Sequence, residues 1–162
     1  MRRLADWLIP AENPSGVVYG VMVIGALLAA ESGRRETYLD TVGSAVLAAG
    51  VYWLAHAYAR VLGQRLAEAE RLTLDALVRA LGHDWALIRG AAIPLLVLLI
   101  AWALGASQGV ALSAGVWSAV ASLIGLELIA GIRSQATPRE LVIEVGMGIT
   151  MGIAILALKS LH

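Results

Sequence analysis

Residues 90–126 read GAAIPLLVLLIAWALGASQGVALSAGVWSAVASLIGL, a run without a single Asp, Glu, Lys or Arg. A membrane crossing takes about 20 mostly apolar residues, so this run is too long for one helix and suits two. Its middle, GASQG at 105–109, joins two glycines with small polar residues and predicts a tight hairpin there.

The same test extends in both directions along the chain. Residues 13–30 and 41–59 are also free of charge, and 141–158 are apolar except for Glu144. The expected fold is therefore all-α: a polytopic membrane helical bundle and single membrane domain over 1–162. Its five spans are placed at about 14–31, 41–60, 90–106, 110–132 and 138–158. Composition agrees. Of 162 residues 59% are hydrophobic and only 15% charged, and the mean hydropathy is +0.78. So few charges cannot solvate the surface of a water-soluble domain of this size. The absence of cysteine excludes a disulfide framework and thiolate chemistry, and a net charge of zero gives no pull toward nucleic acid.

Local signals mark the ends of the spans. Asn13 before Pro14 is a cap followed by proline at the first helical position, and Asp40 with Thr41 offers caps ahead of span two. TPRE at 137–140 is a capping box. Trp102 and Trp117 are expected at one interface, Trp7 and Trp85 at the other. A signal peptide is the competing reading of span one; Asp6, Glu12 and two prolines ahead of the apolar run count against it.

Nine Lys and Arg (Arg2, Arg3, Arg60, Arg65, Arg71, Arg79, Arg89, Arg133, Arg139) fall on one side of the five spans, and three (Arg34, Arg35, Lys159) on the other. That bias predicts a multi-pass protein of the cell membrane with its N-terminus inside and C-terminus outside. On the inner side, 1–13 reads as an interfacial foot and 61–89 as a cytoplasmic amphipathic helical insertion. In the insertion Leu62, Leu66, Leu77, Leu81, Trp85 and Ile88 recur at helical spacing, with a break expected at Gly82 and a capped restart at Asp84. Glu68, Glu70 and Asp75 alternate with Arg65, Arg71 and Arg79 as an ion-pair ladder rather than a metal site.

The residues that hydrocarbon should resist are His56, Glu127 and Glu144. Each lies four to six residues from an arginine at the inner boundary, which places all three about 6–9 Å inside it. Tyr19 falls at the same depth, and Tyr52 shares a helix face with His56. Carboxylates at that depth are expected to face the bundle interior. Glu144 shares its face with Gly148 and Gly152, and span four carries a comparable strip of Ala114, Ser118 and Ser122, so these small residues are expected at helix contacts.

The order of elements, two spans, an amphipathic insertion and three more spans, resembles the vacuolar iron transporter family. VVYGV at 17–21, AAG at 48–50 and GIRS at 131–134 running into a glycine-rich last helix are local likenesses. The resemblance implies a dimeric metal/proton exchanger with a metal-collecting insertion. The ligand motifs are not matched: Val23, Val46 and Leu54 stand where that family has Asp, Glu and Met, and the insertion is shorter and poorer in Glu. None of the family's metal ligands carries over.

Two classes of function follow. One is a small transporter or channel, a homodimer exchanging a cation for protons, with His56, Glu127 and Glu144 as ligands for a divalent cation that is cargo rather than cofactor. The other is a non-catalytic scaffold or accessory subunit whose small-residue faces bind lipid or an unidentified membrane partner. No Ser-His-Asp set, phosphate loop or paired histidines suggests an enzyme.

Overall fold

Asn13 starts the first helix as its sequence position predicts. Its Oδ1 accepts from the Gly16 N–H at 2.9 Å and from the Ser15 hydroxyl at 3.0 Å, and Pro14 supplies a first turn that needs no amide donor. The computed structural model describes residues 13–31, 37–68, 73–135 and 137–160, except the side chains of Glu68, Pro138, Glu144 and Lys159. The foot expected at 1–13 thus lies, apart from Asn13, outside the described residues, as do Trp7, Arg34 and Arg35.

Within them the elements are α1 (Pro14–Glu31), α2 (Tyr38–Glu68), α3 (Leu74–His83), α4 (Trp85–Ala103), α5 (Gln108–Arg133) and α6 (Pro138–Ser160). Five segments are long and apolar enough to cross a membrane: Pro14–Glu31, Tyr38–Ala67, Leu74–Ala103, Gln108–Arg133 and Arg139–Leu158. The chain is an all-α multi-pass membrane bundle.

Turn chemistry explains the boundaries. At the end of α4, Gly105 adopts φ +85°, its N–H donates to the Trp102 carbonyl at 2.8 Å, and the Ala106 N–H reaches back to Ala101 at 3.0 Å. That pair of bonds is a Schellman closure, which needs a left-handed residue and so a glycine. Before α6 the Thr137 N–H donates to Glu140 Oε2 at 2.8 Å and the Glu140 N–H to Thr137 Oγ1 at 3.4 Å, the expected capping box. Span two begins earlier than expected. Thr37, not Asp40 or Thr41, is the cap: the Asp40 N–H donates to Thr37 Oγ1 at 3.3 Å and the Thr37 hydroxyl donates to Asp40 Oδ2 at 2.6 Å.

α1 lies at the centre, packed chiefly on α4 and α5 and also touching α2 and α6. Its buried stripe is Val17, Val21, Ile24 and Leu28, all fully enclosed. The α1–α4 crossing is set by glycine. A Cβ on Gly20 would overlap the Leu87 carbonyl and lie 2.7 Å from the Ala91 nitrogen, and one on Gly90 would overlap the Val17 carbonyl, so the two backbones are in contact. Between α6 and α5 the contact is of another kind: the missing side chains of Gly148 and Gly152 leave room for those of Glu127 and Val120. Ser118 and Ser122 are half-buried in α5, and their hydroxyls bond back to the Gly115 and Ser118 carbonyls at 2.7 Å instead of bridging helices. The outer faces of α2 and α6 expose Leu39, Leu47, Val51, Val142, Ile143 and Met147, apolar side chains suited to lipid.

The insertion expected at 61–89 is divided. Its first eight residues extend α2 without a break to Glu68, and Trp85–Arg89 form the first turns of α4, leaving α3 as the separate helix. α3 is amphipathic: Ala80, flanked by Leu77 and Leu81, buries against Ala57 and Val61 of α2. The break falls at Asp84 and not at Gly82, which lies inside α3. The ladder is represented by Arg79 and Asp75, which pair one turn apart on an exposed face. Trp102 stacks on Tyr38 at 5.0 Å near the hairpin end. Trp117 does not join it there; nine residues into α5, it sits about 13 Å further along the axis.

Candidate functional site

The arginine-rich end of the bundle is organised around Asp84, between α3 and α4. A residue at a helix N-cap ordinarily turns its carboxylate onto the first free amides, but Asp84 makes no such bond. Its side chain is instead fully buried, with Oδ1 2.5 Å from Arg60 Nη2 of α2 and 3.2 Å from Asn13 Nδ2 at the start of α1. Asn13 Nδ2 also donates to the His83 carbonyl at 3.0 Å. Three chain segments are joined at one carboxylate. Among the described residues its other oxygen, Oδ2, has no hydrogen-bond partner. Burying a carboxylate is costly unless a cation and hydrogen-bond donors face it, and Arg60 and Asn13 are the groups that do so here.

One helical turn before Arg60 on the same face of α2 is His56. Its ring lies 5.9 Å from that of Tyr19 on α1 and 6.3 Å from that of Tyr52. Tyr19, Tyr52 and His56, singled out from the sequence, are thus brought together between α1 and α2. Glu127 is elsewhere: its Cβ and Cγ pack over Gly148 at the α5–α6 contact. His56 thus lies beside α1, and Glu127 beside α6. The side chain of Glu144 lies outside the described residues. Among the described residues no three His, Asp or Glu side chains are grouped to hold a metal ion.

Two clefts open beside Asp84. One, about 360 Å³, is lined by Arg60, Gln64, Arg79 and His83, with the two arginines paired to Asp84 and Asp75. The other, about 400 Å³, lies between Asn13, Trp53, His83, Trp85 and Arg89. Trp53 and Trp85 meet edge to face at 5.4 Å, and the Trp53 indole N–H donates to the Leu81 carbonyl at 3.0 Å, which holds the top of α3 to α2. Asn13, Arg60, Trp53, His83 and Asp84 are site residues that sequence reading did not assemble. The one available signal was an acid at position 84 with no neighbouring base at i±3 or i±4, so that its partner had to come from another helix. No protein family, curated protein or solved structure matches the chain.

Proposed function

We propose that this protein is a small transporter or channel of the cell membrane that moves a cation, in exchange for protons, and works as a homodimer. The observation that supports this reading is the placement of His56, an ionisable ring inside a span, near the rings of Tyr19 and Tyr52 and one turn from Arg60, which pairs with the buried Asp84. Imidazole is a side chain that can take up and release a proton near neutral pH, which is what a proton-coupled carrier needs inside a span. Glu127 and Glu144 are the further carboxylates of the pathway, with a divalent cation as cargo. The exposed apolar faces of α2 and α6 offer the surface on which a second copy would complete the assembly.

The test is flux in proteoliposomes holding the purified full chain, with internal pH read by a trapped dye as divalent cations are added outside. Cation-driven proton movement that is lost in His56→Phe and reduced in Glu127→Gln and Glu144→Gln is the expected result. Flux indistinguishable from empty vesicles overturns the proposal and leaves the scaffold or accessory-subunit reading. Flux unchanged in all three variants overturns the assignment of the pathway.

A further inference from the structure

The His56 ring lies 5.9 Å from that of Tyr19 and 6.3 Å from that of Tyr52, yet among the described residues none of the three side chains makes a hydrogen bond. Helices α1 and α2 meet here without closing over them: Tyr19 is 47% exposed, and Tyr52 and His56 are half-buried. All three belong to segments long and apolar enough to cross the membrane. Asn13 and Arg60 both reach Asp84 Oδ1, which fixes the inner parts of α1 and α2 at one level. Counted from there, Tyr19 is six residues along α1 and His56 four residues back along α2, about 9 Å and 6 Å deep. Hydrocarbon has no donor or acceptor to offer, so polar atoms left open on the side of a membrane bundle need a cover that has both.

The surface around the cluster is shallow. On α1, Ala26 and Ala30 share a face with Tyr19 and are only half-buried; on α2, Ala55 and Ala59 continue the face of Tyr52 and are exposed. Small side chains on both helices let a further helix backbone come close. We infer that a second copy of the chain binds here, the Tyr19 hydroxyl of each copy donating to the His56 imidazole of the other. The chemistry is self-complementary, since a phenol donates and an unprotonated ring nitrogen accepts, so two equal surfaces satisfy each other without a third molecule. The geometry is that of a two-fold axis along the membrane normal. Two copies inserted in the same orientation keep every residue at its own depth, and Tyr19 meets His56 because the two lie at nearly one level. The contact falls on α1 and α2, away from α6. It rests on the homodimer of the proposed function and not on transport.

Two measurements on the full chain in lipid test it. The chain has no native cysteine. Ala55→Cys, on the inferred contact, should therefore give disulfide-linked dimers on mild oxidation, while Met147→Cys, on the exposed face of α6, should give few. Dimer affinity, read by single-molecule photobleaching at falling protein-to-lipid ratios, should drop about eightfold in Tyr19→Phe and in His56→Phe, the effect of losing two interhelical hydrogen bonds of ordinary strength. The double variant should lose no more than either single one, because each already removes the same two bonds. A chain that stays monomeric, or cross-linking at Met147→Cys and not at Ala55→Cys, overturns the inference. Dimer affinity unchanged in both phenylalanine variants also overturns it and assigns the cluster to water or lipid headgroups. A dimer that responds as expected but shows no cation-driven proton movement upholds the contact and overturns transport alone.

Discussion

Arg60 and Asp84 are 24 positions apart, and their side chains meet at 2.5 Å with the Asp84 carboxylate fully enclosed. The pair, with Asn13, fastens the ends of α1 and α2 to the α3–α4 junction. It therefore sets the geometry of both clefts and of the His56 cluster one turn away.

Removing one member leaves the other as an uncompensated buried group. Arg60→Met should lower stability by about 3 kcal/mol, at the low end for a buried pair because Arg60 keeps 31% of its side chain exposed. Arg60→Met with Asp84→Leu should recover much of the loss, since no buried charge then remains. Thermal unfolding of the native chain, Arg60→Met, Asp84→Leu and the double variant in one detergent measures this. Additive losses in the double variant would show that the pair is not coupled.

Glycine substitutions should divide by contact. Gly20→Ala and Gly90→Ala each force Cβ into the facing backbone and should unfold or markedly destabilise the bundle. Gly43→Ala meets nothing within 4 Å and should be neutral or stabilising by up to about 1 kcal/mol, the helix propensity gained. Equal effects at positions 20 and 43 would contradict the α1–α4 crossing.

Thr137→Ala removes the hydroxyl that caps α6, at an expected cost of about 1 kcal/mol. Amide exchange should quicken in the first turn of α6 and not at the α1–α4 contact. Uniform quickening across the bundle would argue that the box holds more than its own helix.

The nine-to-three distribution of Lys and Arg predicts opposite sides for the two termini. Reporter fusions should read an inner N-terminus and an outer C-terminus. Two termini on the same side would contradict an odd number of crossings.

The candidate site was legible only in part. His56, Tyr19 and Tyr52 were found because a polar residue inside an apolar run stands out by composition, and helical spacing puts Tyr52 one turn from His56. Asp84 and Asn13 were read as caps, which fits their positions; Asn13 does cap α1, while Asp84 turns its carboxylate to Arg60 instead. Helix ends within 61–89 were not legible: α2 runs on to Glu68 and α4 starts at Trp85, because a helix keeps its backbone hydrogen bonds in water and need not stop where the charges begin.

The sequence by itself determined the number of crossings, their approximate limits, the α4–α5 hairpin and the start of α6. Each follows from one-dimensional rules: charge is excluded from hydrocarbon, and caps and left-handed turns depend on residues a few positions apart. Only the tertiary structure decided which faces meet, as at Gly20 and Gly90 or Arg60 and Asp84. In a membrane bundle lipid outside is as apolar as the core inside, so hydrophobic periodicity does not mark the buried face. Backbone contact and ion pairing do mark it, and they exist only once distant helices have crossed.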